Sequence, residues 1–112
     1  MPLSQGQYRM RVTPSDATSY AELDDDALVT RSRMGDVEAF REIASRYFPL
    51  INTLTCALTG SLNRGKDLAR DTFVAAWKQL PTLRERVEVR LWLCGIALKF
   101  VADFLHGRRT NH

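Results

Sequence analysis

Cysteine and histidine are scarce in this chain of 112 residues, which contains two of each. Cys56 and Cys94 are far apart in the sequence and lie in apolar, helix-like stretches, which argues against a disulfide framework or a metal-binding cysteine pair. We interpret both as buried free thiols, because free cysteine commonly behaves as a small core residue. His106 and His112 both lie near the end of the sequence, and no His-Glu-x-x-His motif occurs.

Long apolar runs and phosphate-binding motifs are also absent. No run reaches the roughly 18 residues that a membrane-spanning helix needs. The opening residues, Met-Pro-Leu-Ser-Gln-Gly, lack the charged-then-apolar order of a signal peptide. No Gly-x-x-x-x-Gly-Lys run is found either. We therefore predict a cytoplasmic protein that is not an enzyme, uses no cofactor or metal, and has no membrane partner.

The charge is modest in sum but uneven along the chain. The composition, 45% hydrophobic and 26% charged, is that of an ordinary globular domain. A formal net charge of +3 is far below that of a protein held to DNA by charge alone. The N-terminal side is acidic, whereas residues 84–109 carry six basic residues against three acids. Nucleic-acid contacts are therefore expected toward the C-terminus.

The chain divides into an N-terminal arm and a helical domain. Residues 1–22 combine proline, glycine and polar residues without a helical period, which is typical of a flexible arm. Residues 23–112 form the predicted domain. Its first helix should begin at the acidic cluster 24–26 and end at Gly35. Consecutive acids point in different directions from a helix, so capping is a better interpretation of this cluster than metal binding.

Three further helices are predicted. The second should run from Asp36 to Gly60 with one apolar stripe, and Pro49 should kink or split it near residues 46–48. The third should be capped by Asn63 and end before Pro81.

Gly107 should close the fourth helix, and the short alternating segment 87–91 is either an extended loop or the start of that helix. The fold class is therefore all-α, a compact bundle of about four helices.

Two segments of the predicted third and fourth helices carry the most information. They read Asp67-Leu68-Ala69-Arg70-Asp71-Thr72-Phe73-Val74-Ala75-Ala76-Trp77 and Trp92-Leu93-x-x-Ile96-Ala97. Asp67 and Asp71 are separated by one helical turn, as an acid–base pair might require. With Lys66 and Arg70 beside them, a solvated charged face is the better interpretation.

These segments resemble region 2 of bacterial sigma factors, especially the extracytoplasmic-function (ECF) group. The similarity continues from about Asp25 to Arg109 and includes the opening motifs Asp26-Ala27-Leu28-Val29 and Gly35-Asp36-x-x-Ala39-Phe40. In that family, the helix matching 67–77 binds the clamp helices of the largest subunit of core RNA polymerase. By this resemblance Asp67, Arg70 and Asp71 face polymerase. Arg70 replaces the glutamine that is usual in the family.

The resemblance also implies contact with the nontemplate strand of the minus-ten promoter element. The expected contacts are basic: Arg84, Arg86, Arg90, Lys99, Arg108 and Arg109. Leu83 and Val89 stand where the family usually has aromatic residues, and Lys99 replaces the usual asparagine. Two interpretations stay open: salt-sensitive phosphate contact with reduced base recognition, or a charged loop that is only solvated. Trp92 is interpreted as a core residue rather than a stacking platform.

Two functions follow from the resemblance. The first is a sigma-factor domain that docks on core polymerase and contributes to minus-ten recognition and melting. The alternative is a sigma-like decoy that binds an anti-sigma factor without productive promoter binding. The alternative is suggested by the lost DNA contacts and by the run from Leu91 to Phe104, which has more apolar positions than one buried face requires.

Overall fold

The structure is a computed structural model that describes residues 19–83 and 86–110, without the side chains of residues 108–110. Among these residues there are four α-helices and two short 3-10 helices, and no strand. The α-helices are α1 (Asp25–Arg33), α2 (Val37–Thr59), α3 (Leu62–Gln79) and α4 (Val89–Thr110); the 3-10 helices are Tyr20–Glu22 and Leu80–Thr82. The prediction of an all-α fold with about four helices is confirmed. None of the described helices is long and apolar enough to span a membrane.

Packing contacts divide the chain into two units, Met1–Ile43 and Ala44–His112. The division falls within α2, so the first unit contains α1 and the start of α2. The second contains the rest of α2 together with α3 and α4. Residues 1–18, most of the expected arm, lie outside the described residues, and the predicted boundary at residue 22 stays a prediction.

The acidic cluster caps α1, as predicted. An Asp24 side-chain oxygen accepts a hydrogen bond from the backbone amide of Ala27 at 2.9 Å. Gly35, at φ +95°, occupies the left-handed conformation that glycine adopts most readily. Asp36 then starts α2 by accepting a hydrogen bond from the Ala39 amide at 3.2 Å. The buried apolar residues of this unit are Leu28, Val29, Ala39 and Ile43.

Helix α2 is not split at Pro49, which lies inside a helix that continues to Thr59. Gly60, at φ +71°, follows the last helical residue, as predicted. The predicted cap of α3 is wrong, since the Ser61 hydroxyl, not Asn63, accepts the Arg64 amide at 3.0 Å. Ser61 has the extended backbone that a cap requires, whereas Asn63 already lies in the first helical turn.

Helices α2 and α3 run antiparallel and approach closely at Gly65. The Thr55 hydroxyl donates a hydrogen bond to the Gly65 carbonyl at 2.7 Å. A Cβ built on Gly65 would lie 2.6 Å from the backbone nitrogen of Cys56. Toward the other end of the pair, the rings of Phe48 and Phe73 lie 5.9 Å apart. Only a residue without a side chain fits this crossing.

Helices α3 and α4 are also antiparallel. The Arg64 guanidinium lies 5.8 Å from the ring centroid of Phe104 at one end, and the Trp92 indole N–H donates to the Gln79 side chain at the other. The buried apolar residues of this second unit come from all three of its helices. They are Ile51, Ala69, Phe73, Ala76, Leu80, Val89, Leu93, Ala97 and Val101.

Two expectations about α4 are settled by its limits. It begins at Val89, so the segment 87–91 contains the helix start rather than only an extended loop. The predicted end at Gly107 is wrong, because the helix continues to Thr110. Gly107 does not adopt a positive φ, and a helical glycine costs only about 1 kcal/mol, which does not stop a long helix.

Candidate functional site

One side of α3 is buried and the opposite side is exposed. The buried positions are Gly65, Ala69, Thr72, Phe73 and Ala76. The exposed positions include Asp67, Arg70, Asp71 and Val74, which recur at steps of one, three or four residues and therefore share a side. We call these four residues the outer face of α3. The structure thus brings together all three residues expected to bind polymerase.

The charged groups of this face have no partners within the described part of the chain. None of Asp67, Arg70 and Asp71 forms a side-chain hydrogen bond or salt bridge there. Lys66 and Lys78 are also exposed on the same helix. Exposed charges without internal partners contribute little to stability. They are therefore available to a binding partner.

Val74 belongs to the outer face of α3 but was not among the predicted site residues. It lies four residues after Arg70 and three after Asp71, and 54% of its surface is exposed. A single exposed apolar side chain is common on protein surfaces, and it would lose water if a partner covered this face. Its spacing from Arg70 was the sequence signal that places it on this face.

A groove of about 580 Å³ lies between α3 and α4. It is lined by side chains of both helices: Ala75, Gln79, Leu91, Trp92, Ile96, Lys99, Phe100 and Asp103, together with the backbone at Gly95. The Trp92 indole N–H donates to the Gln79 side-chain oxygen at 3.2 Å, which fixes the ring at one end of the groove. Lys99 and Asp103 supply charges of opposite sign beside it.

The structure qualifies the prediction that Trp92 is a core residue. Its ring is half-buried, as is that of Phe100, and both line the groove. Half-buried aromatic rings beside a lysine form a surface on which a planar group can stack. The sequence did not indicate this, because Gln79 and Phe100 come from different helices and belong to no common motif.

Of the six basic residues expected to contact DNA, three have described side chains: Arg86, Arg90 and Lys99. Arg86 and Arg90 are exposed, and Lys99 is exposed at the groove. Arg90 and Lys99 are separated by about two and a half helical turns, so they lie on opposite sides of α4. Arg84 lies outside the described residues, as do the side chains of Arg108 and Arg109. Their role in DNA binding stays a prediction.

The described residues contain no cluster of three or more histidine, cysteine, aspartate or glutamate side chains that could hold a metal. Both cysteines are free, but the expectation that they are buried is wrong, since each is half-buried. The Cys56 thiol lies at 3.6 Å from both the Asn52 side-chain oxygen and the Leu62 carbonyl.

Comparison with known proteins finds two RNA polymerase sigma factors to which this chain is similar. Over 92 residues the chain is 32% identical to the ECF RNA polymerase sigma-E factor of Haemophilus influenzae, an alignment covering 79% of this chain and 47% of that protein. Over 88 residues it is 28% identical to RNA polymerase sigma factor NccH of Alcaligenes xylosoxydans xylosoxydans, with the same coverage. This chain is similar to RNA polymerase sigma factors.

The chain spans about half the length of these sigma factors. No family model and no solved structure matches it. The sigma-factor similarity agrees with the resemblance found from the sequence motifs.

Proposed function

We propose that this chain is a sigma-factor domain that docks on core RNA polymerase through the outer face of α3. The observation that carries the proposal is the exposure of Asp67, Arg70 and Asp71 on one side of that helix, without partners among the described residues. The similarity to two RNA polymerase sigma factors supports the same partner. The binding site on polymerase would be the clamp helices of its largest subunit.

The chemistry of this face suggests how docking would work. Two carboxylates and one guanidinium alternate in sign along the helix, so a partner surface must present matching charges in register. Val74 lies beside them and would lose its hydration on contact. An arginine can form planar, paired hydrogen bonds to a carboxylate, which the glutamine usual in the family cannot, so Arg70 would pair well with an acidic partner residue. We therefore expect Arg70 to select a polymerase with an acidic residue opposite it.

The groove between α3 and α4 would supply the second part of the function, contact with the nontemplate strand of the minus-ten element. Trp92 and Phe100 offer partly exposed ring surface, and Lys99 lies beside them. Stacking of a base on an aromatic ring contributes about 1–3 kcal/mol in single-strand binding proteins. The basic residue would add salt-dependent attraction to the phosphate.

Charge reversal at Asp71 tests docking. We expect Asp71→Arg to raise the dissociation constant for core polymerase at least about tenfold, which corresponds to about 1.4 kcal/mol. The measurement is titration of labelled domain with purified core enzyme in the absence of DNA. Glu38→Arg is the control, because Glu38 is an exposed carboxylate on α2 whose ion pair with Arg41 is itself exposed. Unchanged affinity of Asp71→Arg would refute docking through this face.

A second candidate is the sigma-like module that binds an anti-sigma factor without productive promoter binding. It is favoured by the exposure of two large apolar side chains on α4, Leu91 at 69% and Leu98 at 47%. Neither residue is needed to bury the helix against its neighbours. Binding of a purified anti-sigma factor without measurable binding of core polymerase or promoter DNA would select this candidate.

A further inference from the structure

Helix α4 has a second apolar face that its own neighbours cover only in part. Leucines recur every seven residues at 91, 98 and 105, and small residues recur at 95 and 102. These positions alternate in steps of four and three, which is the spacing of the contact seam between two packed helices. We call Leu91, Gly95, Leu98, Ala102 and Leu105 the outer face of α4.

This face points away from the core of its own unit. The buried positions of α4 are Val89, Leu93, Ala97 and Val101, which recur every four residues on another side of the helix. Leu91 is 69% exposed and Leu98 is 47% exposed.

The small residues of the seam leave open space between its leucines. A Cβ built on Gly95 would meet nothing within 4 Å. Gly95 and Ala102 are both exposed, whereas Leu105 is half-buried. Where leucines alternate with small residues along a helix, spaces remain between the leucines, and side chains of a second helix can fill those spaces.

The charge of α4 indicates which kind of helix would bind its outer face. The sequence of α4 contains four basic residues, Arg90, Lys99, Arg108 and Arg109, against one acid, Asp103. Lys99 directly follows the seam residue Leu98, in the flanking position where charged residues determine which helices pair. A partner with aspartate or glutamate beside its own apolar seam would complement this charge.

Other occupants fit less well. A second copy of this chain would bring basic helices together, and like charges at such positions are destabilising. Nucleic acid would match the charge but would leave aliphatic Leu91 and Leu98 against a polar backbone. An acidic amphipathic helix would match both the apolar seam and the positive charge of Lys99 beside it.

We propose that the outer face of α4 binds an acidic amphipathic helix of a partner protein. The proposal rests on the second candidate function and deepens it by naming the surface and the chemistry of the partner. Because Leu91, Gly95 and Lys99 also line the groove, the bound helix would overlap the groove and compete with a nucleic-acid phosphate for the Lys99 ammonium group.

Two synthetic peptides test the proposal. Both carry four heptads with leucine at the seam positions; one has glutamate at every flanking position and the other has lysine. We expect the glutamate peptide to bind the full chain at least tenfold more tightly than the lysine peptide in fluorescence anisotropy titrations. Leu98→Glu should weaken binding of the glutamate peptide at least tenfold, and Lys99→Glu should make the lysine peptide bind more tightly than the glutamate peptide.

Leu50→Glu is the matched control, because Leu50 is a 41% exposed leucine within α2. This variant should bind the glutamate peptide as tightly as the wild type does. Circular dichroism establishes that each variant is folded. Equal binding of both peptides, or of the wild type and Leu98→Glu, overturns the proposal. Two other results would overturn the choice of occupant. One is concentration-dependent dimerisation in sedimentation that requires Leu98. The other is binding of a thymidine oligonucleotide that requires Leu98 and is tighter than binding of the glutamate peptide.

The test also separates this proposal from the second candidate. Failure of both peptides while a purified anti-sigma factor still binds would refute the surface and leave the candidate standing. Binding of the glutamate peptide without binding of any anti-sigma factor tested would support the surface alone.

Discussion

The close crossing of α2 and α3 makes a specific prediction about Gly65. An alanine there would place its Cβ 2.6 Å from the Cys56 nitrogen, whereas ordinary contacts begin near 3.4 Å. Since the obstacle includes helix backbone, which cannot rotate away, the two helices must separate locally by about 1 Å. That movement would also stretch the 2.7 Å hydrogen bond from the Thr55 hydroxyl to the Gly65 carbonyl.

The expected loss of stability follows from these contacts. Overpacking of this kind costs about 1–3 kcal/mol, and loss of one buried hydrogen bond adds about 0.5–1.5 kcal/mol. The better helix propensity of alanine offsets about 1 kcal/mol of this. We therefore expect Gly65→Ala to lower the free energy of unfolding by about 2 kcal/mol, measured by urea denaturation followed by circular dichroism.

Gly95→Ala is the matched control within the same unit. Gly95 also lies inside a helix, but a Cβ there meets nothing within 4 Å, so this variant should be more stable than wild type by about 0.5–1 kcal/mol. Adding Cys56→Ala to Gly65→Ala should restore little, because the Cys56 backbone remains in place. Equal or greater stability of Gly65→Ala relative to wild type would refute the tight crossing.

Two further predictions concern the first unit. Asp24→Ala should lower the free energy of unfolding by about 1 kcal/mol through loss of the α1 cap, whereas Asp24→Asn should retain most of it; equal values for the two variants in urea denaturation would contradict the capping role. Burial and then the hydrogen bond to Asp36 raise the pKa of Tyr20 above its ordinary value of 10.0, so the folded state holds the phenol proton more tightly than the unfolded state. The free energy of unfolding of the wild type, relative to that of Tyr20→Phe, should therefore be highest below about pH 10 and fall as the pH rises above 10. A difference between the two proteins that stays constant as the pH rises through 10 would contradict this linkage.

The helix ends show how far local chemistry can be read from the sequence. Asp24, Asp36 and the two left-handed glycines were predictable because caps and positive φ depend on residues within a few positions of one another. The predicted cap of α3 is wrong because Ser61 and Asn63 are both residue types that cap helices well. Which of the two caps α3 depends on where the chain turns at Gly60. Gly107 was misread because a glycine ends a helix only when the backbone turns there.

The candidate site was predictable only in part, for a related reason. The outer face of α3 lies within one helix, so spacing places Asp67, Arg70 and Asp71 on one side of it, while their expected role comes from the family resemblance. The groove depends on Gln79 meeting Trp92 across an antiparallel helix pair, and no local pattern encodes that meeting. Arg90 and Lys99, two of the basic residues expected to contact DNA, share a helix but lie on opposite sides of it, and their role in DNA binding stays a prediction.

The inner and outer faces of α3 depend on each other. Gly65, Ala69, Thr72 and Ala76 are small residues on its buried side, which lets neighbouring helices approach closely and limits how far α3 can move. Asp67, Arg70 and Asp71 gain no internal contacts from this packing, but their backbone positions are fixed by it. A charged surface that must match its partner in register loses less entropy on binding when its backbone is already fixed. The tight crossing at Gly65 would therefore contribute to the proposed docking as well as to stability, although no residue of the crossing needs to touch the partner.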